Sequence, residues 1–234
     1  MSSEAKGFAV AIDGPAGAGK STVARELARR LGYFLLDTGA IYRAVALKAR
    51  RADVAWDDGP ALGIVAMGLP IRFDEAGRVW LGSEDVSRAI RTPEISQGAS
   101  TVSAHPQVRA ALLDLQRRLA TAGGCVVEGR DIGTVVLPNA PCKFFLTASP
   151  EVRARRRYDE LKQKGVAVDL AETLREMQER DLRDSSRETA PLKQAPDAEL
   201  IDSSALQLEE VIALLESKVR RKFEVSLDPS DRTH

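Results

Sequence analysis

At 234 residues with 44% apolar side chains, the chain is long enough for one large domain, or a domain carrying an insertion, around a sizeable core. Lys plus Arg and Asp plus Glu both total 34, so no net charge draws the whole molecule to nucleic acid or an anionic membrane surface, and any anion site must be local. No run approaches the roughly 18 consecutive apolar residues of a membrane span, residues 1–7 hold no apolar stretch, and two histidines with two cysteines make neither a His/Cys metal cluster nor a disulfide framework.

In chain order, residues 8–13 form a short apolar run ending at Gly14, and Val23, Leu27 and Leu31 recur at helical spacing over residues 20–31. That pattern predicts strand, glycine loop, helix. Residues 33–36 predict a second strand, followed by a turn at Asp37, Thr38 and Gly39 and a helix from Ala40 to about Arg51. The segment from about residue 57 to 95 breaks the rhythm: apolar runs at 69–73 and 79–81 flank Asp74, Glu75, Ala76 and Gly77, a hairpin-type turn within an inserted small domain. Further strands are expected at 125–127, 143–146 and 198–201, with Cys125 and Cys142 as small core residues. Residues 151–164 and 170–187 read as two polar, arginine-rich helices joined at Gly165, and 206–221 as an amphipathic closing helix before a polar tail. Alternating strands and helices imply a parallel sheet covered by helices on both faces.

Gly14, Pro15, Ala16, Gly17, Ala18, Gly19, Lys20 and Ser21 satisfy GxxxxGK[ST] in the required strand-to-helix setting, with Thr22 next in the helix. Glycines let successive backbone N–H groups turn inward to phosphate oxygens, and the helix N-terminus adds its positive dipole end. Lys20 is placed to reach the β and γ phosphates of a nucleoside triphosphate, and the Ser21 hydroxyl to ligate Mg2+. The chain carries no [NT]KxD guanine-reading motif.

Phosphoryl transfer needs cations around the moving group and an acceptor site in line with it. Arg43, beside Tyr42, and Arg130, beside Asp131, follow predicted strands at the carboxyl edge of the sheet, where ligands bind in open parallel sheets. Arg180, Asp184 and Arg187 share a helix face by their spacing. Among Arg153, Arg155, Arg156 and Arg157, Arg156 is spaced to pair with Glu160, which leaves Arg153 and Arg157 as the phosphate-clamp candidates.

Three segments carry a resemblance to the bacterial cytidylate kinases: residues 12–21, the run from Leu36 through Asp37, Thr38, Gly39 and Tyr42 to Arg43, and the run from Gly129 through Arg130, Asp131 and Gly133 to Val136. The likeness extends from about residue 8 to 223. It implies a P-loop NTPase-type parallel sheet flanked by helices, an α/β fold with a core at 8–56 and 96–223, a monophosphate-binding insertion at 57–95, a helical lid at 149–165 and flexible tails at 1–7 and 224–234. It also implies that Arg43, Arg130 and Arg187 hold the acceptor phosphate, that Arg180 and Asp184 lie near the ribose, and that Ser100, Arg109 and Asp131 read the base. Thr38 stands where the family often has serine, and a hydroxyl is kept. The expected substrates are ATP with Mg2+ and CMP or dCMP, with no nucleic-acid or membrane partner, in a monomeric cytoplasmic enzyme. Another small P-loop kinase, acting on a different monophosphate or on a small alcohol such as shikimate, is argued against by the hairpin insertion and by Gly129, Arg130 and Asp131. A nucleotide switch would release ADP without dependence on an acceptor, and a purely structural P-loop relic is argued against by intact Lys20 and Ser21.

Overall fold

A computed structural model gives the fold and describes residues 7–74, 77–120 and 124–227. Two compact units are present: residues 1–35, 121–186 and 190–234 in the first, and 36–120 with 187–189 in the second.

The first unit is built on a five-stranded sheet of order β2-β6-β1-β7-β8. Its strands are β1 (Ala9–Asp13), β2 (Phe34–Asp37), β6 (Cys125–Glu128), β7 (Cys142–Thr147) and β8 (Glu199–Asp202). β1 pairs in parallel with β6 and with β7, and β7 in parallel with β8. β1 and β6 are buried almost end to end, which is why they read as continuous apolar runs rather than alternating ones. Helix α1 (Lys20–Leu31) lays Val23, Ala24, Leu27 and Ala28 against this sheet, and α8 (Leu208–Leu227) adds Val211, Ile212, Leu215 and Val219 to the same core. Leu27 and Leu215 have no exposed surface, so each contributes roughly 1.5–3 kcal/mol of burial. Cys125 and Cys142 are buried free thiols, which burial pushes up to about 12 and about 11. They belong to the core.

Helices α6 (Pro150–Gln163) and α7 (Leu170–Ser186) are joined through Gly165, as expected. Ser149 caps α6 by accepting from the Val152 N–H at 3.3 Å. α8 reaches Leu227 and so enters the stretch expected as a tail from residue 224. Among the described residues no helix is long and apolar enough to cross a membrane.

The first helix of the second unit is α2 (Thr38–Arg51), which starts two residues before the expected position. The reason is local: extended Asp37 accepts from the Ala40 N–H at 2.9 Å and caps the helix, so Thr38 and Gly39 form its first turn rather than a loop. α3 (Gly59–Met67) is capped by Asp58 and packs on α5 (Pro106–Ala120), while α2 packs on α4 (Pro93–Val102). In the chain between α3 and α4 comes an antiparallel sheet of β3 (Ile71–Phe73), β4 (Val79–Leu81) and β5 (Glu84–Asp85). Glu75 and Ala76 of the expected turn lie outside the described residues, but the Gly77 N–H donates to the Asp74 carbonyl at 2.9 Å and Phe73 pairs with Val79. The third strand, β5, was not expected: two exposed acidic residues carry no strand pattern.

Candidate functional site

The loop between β1 and α1 is shaped by steric demands that only glycine meets. At Gly14 φ is 144°, and a Cβ there would stand 1.9 Å from the Leu146 carbonyl oxygen. At Gly17 φ is 73°, and a Cβ would stand 3.0 Å from the Arg153 carbonyl oxygen and 2.6 Å from Met177 Cε. The loop is therefore wedged between β7 and the first turns of α6. Ser21 and Thr22 are exposed on the first turn of α1. Lys20 is buried, and its Nζ donates to the Pro15 carbonyl at 2.7 Å across the loop.

Burial holds the Lys20 ammonium well below the usual lysine range, and the charges that act on it next are Arg130, Glu128, Arg180 and Asp13. Two of those four are guanidinium groups. Arg130 and Arg180 thus act on Lys20 as like charges and Glu128 and Asp13 as opposite ones, and an anion bound at the loop would favour the charged lysine. Arg130 is oriented by Asp184 of α7, whose Oδ2 accepts from Nε at 3.1 Å, and its Nη1 donates to the Gly129 carbonyl at 3.3 Å. Asp131 is buried at the start of a π-helical turn, Ile132–Val136.

Two carboxylates support this cluster. Glu128, buried at the end of β6, accepts from the Ser21 hydroxyl at 2.8 Å through Oε2. Asp13, buried at the end of β1, accepts from the N–H groups of Ile132 at 2.8 Å and Gly133 at 2.7 Å. Burial pushes the Asp13 carboxyl up to about 6, against the pull of those two N–H groups and with the help of nearby Asp131. Sequence reasoning gave neither residue a role. The available signal was position, since each is a carboxylate closing an apolar strand at the sheet's carboxyl edge.

The arginines of α6 divide differently from the sequence expectation. Arg153 is buried and bonds the carbonyls of Ala148 at 2.9 Å and Ala16 at 3.1 Å, and Asp181 at 2.5 Å. Arg156, expected to pair with Glu160, instead donates to the Ser203 carbonyl at 2.7 Å and the Ser203 hydroxyl at 3.0 Å. Glu160 is taken by Arg157 at 2.9 Å and by Lys164. The correction follows from burial: a backbone carbonyl fixed beside β8 outcompetes a half-exposed carboxylate that an i,i+3 neighbour already serves.

Within the second unit, Thr38, Tyr42, Ser100 and Arg109 are all buried. Arg109 donates to the Ser103 carbonyl at 3.3 Å and stands 5.6 Å from the Tyr42 ring centre. The Ser103 hydroxyl in turn donates to the Ser100 carbonyl at 3.0 Å, so Tyr42, Ser100 and Arg109 lie in one neighbourhood. Arg43 donates to Asp37 Oδ2 at 2.6 Å, with Arg91 3.8 Å from the same oxygen. Burial pushes the Asp37 carboxyl up, but Arg43, Arg91 and the Ala40 N–H together carry it below its ordinary value. Arg187 is half-buried in the segment after α7.

A strand, a GxxxxGKS loop and a helix on a parallel α/β sheet, with clustered cations at the loop, define a P-loop phosphotransferase. The model of one family, described as cytidylate kinase, matches residues 10–221. The chain is 54% identical over 220 residues to the cytidylate kinase of Geobacter sp. (strain M21), across 93% of this chain and 94% of that one. With the cytidylate kinase of Geobacter sulfurreducens the identity is 53% over 220 residues, across 93% and 94% of the two chains. A solved structure from Eubacterium ventriosum shares the fold at a TM-score of 0.53 and 16% identity, across 92% of this chain and 99% of the other. The chain belongs to the cytidylate kinase family and is a nucleoside monophosphate kinase.

Proposed function

We propose that the protein transfers the γ-phosphoryl group of ATP to CMP and to dCMP, giving the diphosphates, and that it works as a cytoplasmic monomer without a nucleic-acid partner. The observation that carries this reading is the gathering of Lys20, Arg130 and Arg180 about the glycine loop, with Asp184 orienting Arg130. One acceptor-phosphate oxygen attacks the γ-phosphorus as the bond to the β–γ bridging oxygen breaks, and ADP leaves. An acceptor phosphate oxygen is already anionic, so alignment and charge neutralisation supply the catalysis and no strong base is required.

Residues 14–22 hold the ATP phosphates, and Lys20 follows the γ-phosphoryl group as charge spreads over it. Mg2+ fits the hard oxygen donors beside the loop, where the Ser21 hydroxyl would hold it and Glu128 would orient that hydroxyl. Bound there, the ion neutralises phosphate charge. On the acceptor side Arg43, Arg130 and Arg187 hold the phosphate, Arg180 and Asp184 the ribose, and Thr38, Tyr42, Ser100, Arg109 and Asp131 the nucleoside. The inserted segment 57–95 covers the monophosphate, and the lid at 149–165 closes to keep the phosphoryl group from water. Arg157 is the lid's charge-neutralising group, while Arg153 shapes the loop through Ala16.

The test is ADP release from ATP and Mg2+ with CMP, dCMP, UMP, AMP, GMP, dTMP and shikimate offered separately. Rapid release with CMP and dCMP is expected. Preference for another acceptor overturns the base-reading roles, and release without any acceptor dependence overturns the kinase reading.

A further inference from the structure

Three side-chain hydrogen bonds, two joined at Arg153 and the third one turn along α7, link the phosphate loop to the turn after β6. Arg153 Nη1 donates to the Ala16 carbonyl at 3.1 Å and to Asp181 Oδ2 at 2.5 Å. Asp181 lies on α7, three residues before Asp184, so the two carboxylates share a helix face. Asp184 accepts from Arg130 Nε at 3.1 Å. The Arg153 side chain is only 6% exposed and that of Asp181 21%, so this pair is shielded from the solvent that makes surface ion pairs weak. Arg180, adjacent to Asp181, is among the charges acting on Lys20.

We propose that Asp181 is a positioning residue: through Arg153 it ties the phosphate loop to α7, so that ATP in the loop sets the placement of Asp184 and Arg130 and tightens CMP binding. The inference rests on the reading above, in which the loop is the donor site and α7 with Arg130 faces the acceptor. A link of this kind is a coupling free energy, so CMP tightens the binding of ATP by the same factor. The reading above places Asp181 in neither binding site. Its effect therefore belongs in the interaction between the two sites more than in either affinity alone.

The experiment is calorimetric titration of CMP into the free protein and into protein saturated with Mg2+ and a non-hydrolysable ATP analogue. In the wild type the analogue is expected to tighten CMP binding about tenfold, a coupling of ordinary size. In Asp181→Asn the factor should fall below about twofold, with the affinity for the analogue alone changed by no more than about threefold. Arg153→Met removes the single nitrogen that donates to both Ala16 and Asp181, and it should lose the coupling too. That second variant decides the matter if Asp181→Asn folds poorly. A wild type without coupling, or either variant with wild-type coupling, overturns the inference. CMP affinity of Arg130→Ala and Asp184→Ala separates the two levels of failure. Unchanged affinity there overturns the acceptor-side reading itself, whereas weakened affinity together with intact coupling in Asp181→Asn overturns the inference alone.

Discussion

The Ser21 hydroxyl donates to Glu128 Oε2 at 2.8 Å, joining the first turn of α1 to the end of β6 across 107 positions of sequence. The hydroxyl proton is committed to the carboxylate, which leaves the oxygen lone pairs directed away from Glu128 and available to a cation. Glu128→Gln removes that acceptor charge and allows the hydroxyl to rotate. The expected result is a need for roughly 10–100 times more Mg2+ to reach half-maximal rate, the usual cost of losing a partner that orients a metal ligand. A Mg2+ titration of the rate at saturating ATP checks it, and an unshifted curve would separate Glu128 from the metal.

Lys20 lies buried, with its ammonium held low by burial and then by Arg130. A polyphosphate reverses that balance, so Lys20 contributes most when the phosphoryl group is in transit. Lys20→Ala should reduce kcat by on the order of 10²–10³-fold, comparable with the loss of one preorganised charge-stabilising donor. Removing the cation relieves its burial cost and its repulsion with Arg130 and Arg180 but also loses the attraction of Glu128 and Asp13 and the bond to Pro15, so the melting temperature should change little. Turnover near that of the wild type would remove the phosphate loop from the mechanism.

Asp13 makes a pH prediction with a definite sign. Its ordinary value of 3.8 is pushed up to about 6 in the folded state. Below pH 3.8 the group is protonated whether folded or unfolded, and above about 6 it is ionised in both. Between those limits the folded chain keeps a proton that the unfolded chain has lost, so the contribution of Asp13 to stability declines as pH rises through the window. The grip on Ile132 and Gly133 moves the opposite way, because protonation removes the charge and turns one of the two acceptor oxygens into a weaker acceptor. Charge from Asp131 and Lys20 also acts on the group. Catalytic efficiency should therefore fall on the acid side near pH 6, where the acceptor phosphate also titrates. The discriminating readout is the difference between two profiles. Wild type should show a steeper acid limb than Asp13→Asn, and the variant should sit on the order of tenfold lower near neutrality, the equivalent of one lost hydrogen bond. Identical limb shapes would show that Asp13 does not control the turn.

The parallel sheet and the phosphate loop were legible because their signals are local. β1 and β6 are apolar throughout, and the GxxxxGKS spacing is contiguous in sequence. Asp37 was missed as a helix cap because its role depends on one residue's extended backbone, which the residue order alone leaves open. The true partner of Arg156 escaped for a different reason: spacing on a helix points to Glu160, whereas the Ser203 carbonyl that takes the guanidinium lies 47 positions away. Asp181 was invisible for the same reason, since it acquires meaning only when α6 brings Arg153 between it and Ala16.

Arg109 and Ser100 carry the prediction on base choice. Both are buried, Arg109 beside the Tyr42 ring and within 3.3 Å of the Ser103 carbonyl, Ser100 on the facing turn of α4. A guanidinium suits the cytosine N3 acceptor, and a hydroxyl or carboxylate suits the N4 amino donor. Uracil places an N–H and a carbonyl in those positions, so it would oppose donor to donor and acceptor to acceptor. A buried polar group left unpaired in this way costs about 1–3 kcal/mol, which corresponds to roughly 5–150-fold in catalytic efficiency. Arg109→Met preserves much of the side-chain volume against Tyr42 while removing every donor. It should lower kcat/KM for CMP by that range while leaving the value for UMP within about threefold, so the CMP-to-UMP ratio collapses. Ser100→Ala should do the same more weakly, because a neutral hydroxyl makes a weaker bond than a charged donor. The measurement is kcat/KM for both acceptors in each variant. A ratio that survives Arg109→Met would place base reading elsewhere, with Asp131 the next group to replace.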